Sequence, residues 1–502
     1  MHRKSILFFC LGIILLRVTH VVQAQVIDLS GRDKYEYYRV RFESQFIVHD
    51  FSRGEQNQPQ GKPDGFGIPG SIAFRGEAFD GSVVDLQWGD ATIDLGWYIG
   101  VLATEFYLLR QNNQPVEYTA ARLRSALLAY ERLDLNSDIL YYPHNARSFS
   151  DGLFVRDDVV NRIFDTTALA GFYKTAPTTP TSDGKFFIKS DFLSNNPNDK
   201  MPNIYPSPDQ IAHLFLGFAL VKKFLTEADN YYGFYFVDKV KGFTKDIVKR
   251  LRHVKVNSII PRVEWYGTIN QNTRPHHPVY PNGKVPVKLN SRGISLAAKY
   301  ITDRKKTVSW SARTYWNFLY SSNIPWYYEN TINNHDFSTS YWLALAAIGG
   351  DPRGRGRPIA DSVEINQVKY KSTFLKFCVS FDHNIYLLLR DALWTETGTA
   401  QRSFFVNAIQ SAPNGGVYHK PTYNALGVGS PGWMAHNRWI RPIIAAEGFE
   451  YKRTLRRDPV EQIGAYNGLD YMLLYNLLMI VHPDYFASDV NYRGLVESGL
   501  VP

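Results

Sequence analysis

Four short stretches of this chain gather residue types that move protons or grip anions. The densest runs from Thr331 to Trp342, where Asn333, Asn334, His335, Asp336, Ser338, Tyr341 and Trp342 open into the apolar run Leu343–Ile348. Further on, Asp382, His383 and Asn384 repeat the mixture just ahead of Tyr386. Ser207-Pro208-Asp209-Gln210-Ile211-Ala212-His213 puts Gln210 and His213 three apart, on one face of an otherwise apolar helix. Polar groups in such a place are costly unless satisfied or used. The fourth stretch, Trp433-Met434-Ala435-His436-Asn437-Arg438-Trp439, follows a glycine-rich loop and suits a cleft wall that grips an anionic sugar. His and Tyr transfer protons near neutral pH, and an amide or Arg stabilises charge developing beside a carboxylate. β-Elimination on a uronic acid needs this set, and so does loss of water from a sugar.

The elements that must position these residues are helices. Helical periodicity marks Leu95–Arg110, Tyr118–Leu133, Pro208–Thr226, Tyr235–Arg252, Gly293–Ile301, Tyr341–Ile348, Asn384–Trp394 and Gln462–Val481. Asp94, Asp209, Asp336, Asp382 and Asp470 each stand at or just before an apolar, aromatic-rich helix. Capping and the helix dipole explain any one such Asp, whereas the recurrence points to a shared functional end. Intervals near 45 residues fit helical hairpins, each with one buried and one amphipathic helix. We therefore expect a mainly α fold, an α/α toroid or incomplete α/α barrel over residues 91–502. Residues 1–24 read as a signal peptide, and residues 25–90 as an irregular, partly β N-terminal segment.

Asn-Asn-His at the start of an aromatic helix resembles the motif of alginate-lyase-type polysaccharide lyases, which are α/α toroids. The resemblance covers about a dozen residues, with Asp336-Phe337-Ser338-Thr339 standing between the His and the Tyr-Trp pair. It implies that Asn334 neutralises a uronate carboxylate, that His335 is the base or acid, and that a Tyr shares the proton work. Tyr386 is the first candidate for that Tyr and Tyr341 the second. On this expectation the catalytic residues are His335, Tyr386, Asn334 and His383. Substrate would be held by Asp209, Gln210, His213, Asp336, Tyr341, Trp433, His436, Asn437, Arg438 and Trp439.

Two rivals differ in kind. A glycoside hydrolase on the same scaffold, acting on unsaturated uronides, would need two carboxylates, with Asp157 or Asp158 paired with Asp209. A non-catalytic glycan-binding protein would leave the sugar unchanged.

Composition narrows the field. The 502 residues are 44% apolar and 21% charged, and include 10 Trp, 32 Tyr and 31 Phe, which excludes a disordered chain and suits large cores and sugar-facing clefts. Met1-His2-Arg3-Lys4, the apolar run Ser5–Leu16 and Val22-Gln23-Ala24 have the plan of a cleaved secretory signal, so we expect a periplasmic or secreted protein without stable membrane insertion. Cleavage removes Arg3, Lys4 and Arg17 and lowers the net charge from +9 to +6. Export argues against nucleic acid, and the modest charge is compatible with an anionic glycan. Cys10 would leave with the signal, so Cys378 stands alone as a small core residue. The run Arg353–Arg357 reads as a solvated loop. His276-His277 lacks a spaced third ligand, and phosphate loops, dinucleotide fingerprints and His-Glu-x-x-His are absent, so no metal or cofactor is expected.

Overall fold

The structure, a computed structural model, describes residues 31–47, 65–70, 72–75, 83–88, 91–141, 152–158, 163–165, 185–189, 208–251, 254–255, 262–263, 291–303, 343–349, 363–365, 368–370, 385–394, 405–406, 409, 418–419 and 463–483. These are mainly helical. The helices are α1 (Gly31–Gln45), α2 (Ala91–Gln111), α3 (Glu117–Tyr141), α4 (Pro208–Phe224), α5 (Phe236–Leu251), α6 (Ser291–Thr302), α7 (343–349), α8 (Ile385–Trp394) and α9 (Leu469–Val481).

Helix α2 is buried along almost its whole length, as its unbroken apolar sequence requires. The hydroxyl of Thr104, an internal polar group, donates back to the carbonyls of Gly100 (2.8 Å) and Val101 (2.9 Å). At its C-terminus Gln114 N–H bonds Leu109 O (2.9 Å) and Asn113 N–H bonds Arg110 O (3.1 Å), with Asn113 left-handed at φ 54°. That is a Schellman stop, and Pro115 after it prevents continuation.

Contacts along α2, α4 and α9 fix their directions. Gly96 faces His213, while Gly100 faces Leu216, Leu220 and Leu473. Asn467, just before α9, bonds Asp94, and Asn476 bonds Val101 O and the Thr104 hydroxyl. Residue numbers rise together on all three helices, so they run parallel with their N-termini at one end. A Cβ on Gly96 would sit 2.2 Å from His213 O, and one on Gly217 would sit 2.4 Å from Gly96 O, so the α2–α4 contact admits only glycine there. Helices α3 and α5 return the chain outside this layer, meeting α4 through Tyr130, Phe218 and Phe243.

Strands β1 (Ile72–Arg75), β2 (Val83–Gln87), β3 (Ile163–Asp165), β4 (Lys185–Lys189), β11 (Tyr418–His419) and β12 (Ile463–Tyr466) make a six-stranded sheet in the order β11-β12-β1-β2-β4-β3. Its pairs are antiparallel apart from β2 with β4. Strand β2 leads into α2 and β12 into α9, so the sheet lies at the end where these helices begin. The remaining short strands are β5 (Asn230–Tyr231), β6 (Phe234–Tyr235), β7 (Val254–Lys255), β8 (Arg262–Val263), β9 (Val363–Ile365) and β10 (Val368–Tyr370), paired in sequence order.

Two expectations need correcting. Residues 31–45, read within an irregular segment, form helix α1, which packs antiparallel on α9 with Tyr38 stacked on Tyr471 (4.6 Å) and Tyr35 against Tyr475 (5.1 Å). Its apolar face is built from tyrosines, which conceals the helical period. Residues 463–468, within the run read as helix from Gln462, are instead strand β12 and the two residues that precede α9, because Gly464 and Gly468 (φ 82°) break the pattern. Strands β1 and β2 also pair with partners far beyond residue 90, so the sheet joins the two expected segments.

Candidate functional site

Among the described residues, the expected site residues that come together do so where the parallel helices begin. His213 lies in the second turn of α4, three residues after Gln210, and both are buried. Tyr386 lies in the first turn of α8, and its hydroxyl is 3.5 Å from His213 Nε2. The Trp97 ring of α2 stacks on the His213 imidazole at 5.9 Å and meets the Tyr386 ring at 6.4 Å. A hydroxyl facing a ring nitrogen can pass a proton either way, and the indole packs against both rings.

Next along α2 is a carboxyl pair. Asp94 Oδ1 accepts a bond from Asn467 Nδ2 (3.1 Å), which also donates to Gly70 O, while Asn467 Oδ1 accepts from Leu469 N–H. Asp470, in the first turn of α9, is 5% exposed. Its Oδ1 accepts the Tyr471 N–H (2.9 Å), and its Oδ2 has no hydrogen-bond partner among the described residues. Burial pushes the Asp470 carboxyl up to about 7; backbone N–H bonds oppose the rise and the Asp94 charge adds to it. Asp470 therefore holds a proton over much of the acidic range.

Asp158, offered above as a hydrolase carboxylate, is committed elsewhere. Arg132 Nε and Nη2 bond its two oxygens, and Asn136 Nδ2 (3.0 Å) and Gly65 N–H (3.3 Å) complete the shell. An ion pair so fully bonded ties α3 to two loops and leaves no lone pair for a substrate. Asp157 is buried beside it.

Asp209 falls in the first turn of α4, with its side chain beyond the description. Asn334, His335, Asp336, Tyr341, His383, Trp433, His436, Asn437, Arg438 and Trp439 lie outside the described residues, as do residues 1–24, His276, His277, Arg353–Arg357 and Cys378. The sequence alone does not single out Trp97, Asn467 or the proton-holding state of Asp470. A signal for Trp97 existed: Asp94 and Trp97 stand three apart at the start of α2, as Gln210 and His213 do in α4. Among the described residues no three His, Cys, Asp or Glu side chains group to hold a metal ion, and no helix is long and apolar enough to cross a membrane.

The chain matches no known family model, no curated protein and no solved structure.

Proposed function

We propose that this chain is an exported carbon–oxygen lyase acting by β-elimination on a uronic-acid-containing glycan, built on an α/α toroid. The observation that carries the reading is the contact of the Tyr386 hydroxyl with His213 Nε2 beside Trp97, at the shared N-terminal end of parallel buried helices. One member of such a pair takes the proton beside the sugar carboxylate. The electron pair forms the C4–C5 double bond, the C4–O bond breaks, and an acid protonates the departing oxygen. Asn334 would neutralise the carboxylate and His335 would share the proton transfer, as the Asn-Asn-His resemblance implies. His213 and Tyr386 are both buried, so the reaction requires the sugar to displace whatever covers them.

Activity on a panel of anionic glycans tests the proposal, with ultraviolet absorbance of the new double bond followed alongside reducing ends. Absorbance rising with reducing ends supports a chain-cleaving lyase, and absorbance alone supports a dehydratase. Absence of absorbance on every glycan turned over would refute elimination.

One observation favours a second reading. Asp470, whose carboxyl burial pushes up to about 7, feels the charge of Asp94, and a proton-holding carboxyl near a second carboxylate suits the general acid of a glycoside hydrolase. That reading expects reducing ends without absorbance, lost in Asp470→Asn.

A further inference from the structure

Three described non-glycine residues have left-handed backbone: Asn113 (φ 54°), Asp303 (φ 55°) and Tyr232 (φ 49°). Asn and Asp occupy that region at little cost, but a bulky aromatic there is an outlier. Tyr232 and Gly233 (φ 77°) are the two central residues of the turn joining β5 to β6, a type I′ hairpin in which Asn-Gly is the ordinary choice. The ring gains little inside the chain, because Tyr232 is 87% exposed and meets the Tyr231 ring edge to face, 4.6 Å between centroids. Tyr235, across the register from Asn230, is 46% exposed on the neighbouring strand.

The hairpin is firmly built. Asn230 Oδ1 accepts the Gly233 N–H (3.1 Å), and Asp229 Oδ2 accepts from Thr226 N–H (2.6 Å), the Thr226 hydroxyl (3.0 Å) and Arg110 (2.6 Å). Phe234 anchors the inner face, buried beneath Arg124 and Lys239. A strained, exposed ring on a rigid support is explained by contact with something outside the chain.

We propose that the exposed rings of Tyr232 at the hairpin tip and of Tyr235 on its strand each stack on a pyranose face of a glycan chain, a contact separate from the His213–Tyr386 site. A tyrosine offers an apolar face and a hydroxyl edge, which matches the C–H face and hydroxyl rim of a sugar ring. Surrounding charges are paired, Lys241 with Glu227 and Asp303 and Lys222 with Asp303, so stacking rather than charge supplies the attraction. Between His213 and Phe224, helix α4 rises about 17 Å, and the hairpin follows that far end. A polymer, not a short oligosaccharide, would reach both places. The proposal takes from the lyase reading only that the partner is a glycan.

Affinity electrophoresis of the full chain through gels holding polygalacturonate, alginate or xylan tests this independently of turnover. The wild type should be retarded by at least one polymer, with the retardation persisting at high salt. Tyr232→Asn, which suits the left-handed turn, should melt no lower than the wild type and bind about tenfold more weakly. Tyr235→Ala should also weaken binding. Equal retardation of wild type and Tyr232→Asn overturns the proposal, as does no retardation on any polymer. A change in sedimentation of Tyr232→Asn without a change in glycan binding overturns it in favour of a contact between copies. Lost elimination in Tyr386→Phe with binding intact bears on the lyase reading alone.

Discussion

The Tyr386 hydroxyl lies 3.5 Å from His213 Nε2, although 173 residues separate the two in the chain. Parallel packing of buried helices makes this meeting possible. Helices α2, α4 and α9 begin at one end, and Tyr386 in the first turn of α8 meets His213 in the second turn of α4 there, with Trp97 of α2 beside them. If the pair transfers protons, Tyr386→Phe and His213→Gln should each lower elimination by roughly 10²–10⁴-fold. Near-ultraviolet circular dichroism should report an intact core in both, because each substitution keeps most of the side-chain volume.

Asp470 makes stability depend on pH. Its folded pKa of about 7 exceeds the unfolded value of about 3.9, so the folded state binds the extra proton. Its contribution is fully present below about pH 4, is lost as pH rises toward 7, and is constant above. The gap corresponds to roughly 4 kcal/mol at most. Asp470→Asn should therefore be more stable than the wild type at about pH 8, with the advantage shrinking toward about pH 5. Urea melts at both pH values measure this, and a difference independent of pH would contradict it.

Glycines at the α2–α4 contact set the site as well as the fold. In Gly96→Ala the added methyl would meet His213 O at 2.2 Å, a backbone atom that cannot rotate away, so the helices must separate. We expect a loss of about 1–3 kcal/mol or more, together with reduced activity. Gly242→Ala in α5, where nothing lies within 4 Å of the new Cβ, should gain about 0.5–1 kcal/mol from helix propensity. Thermal melts of the two variants compare steric conflict with propensity directly.

Helix α1 is held by a buried polar network. Glu105 Oε2 accepts from Tyr35 (2.6 Å) and Arg39 (3.1 Å), and its Oε1 accepts from Thr119 (2.6 Å), while Arg39 also pairs with Glu43. Burial, then the Glu105 charge, hold the Tyr35 hydroxyl well above its ordinary range, so it stays a donor. Glu105→Ala removes one of the two carboxylates that hold the buried Arg39 guanidinium, together with the acceptor of Tyr35 and Thr119, and should cost about 3–5 kcal/mol, whereas removing charge from both partners should cost less. Chemical denaturation of the single and double variants measures the coupling.

Much of this was readable in the residues. Long apolar runs specify buried helices, and the observed α2, α4 and α5 start and stop within a few residues of the periodicity. Gln210 and His213 were legible because polar groups three apart stand out in a greasy helix. Helix α1 was not, since its buried Arg39 and Tyr35 are satisfied by a network that reaches α2, α3 and α9 through Glu105, Thr119 and Asn476. No local pattern announces that Glu105 will neutralise Arg39. Trp97 stands three residues after Asp94, yet only the packing of His213 against it distinguishes it from the other core aromatics of α2. The sheet was hidden for a similar reason, its strands coming from both ends of the chain.

The most direct test of the account is single-turnover formation of the unsaturated sugar by the wild type and Tyr386→Phe, on whichever glycan the wild type turns over. We predict a rise in double-bond absorbance for the wild type and a fall of at least about 10²-fold in its rate for a correctly folded Tyr386→Phe. An unchanged rate in that variant would contradict the assignment of the His213–Tyr386 pair as the proton-transfer centre.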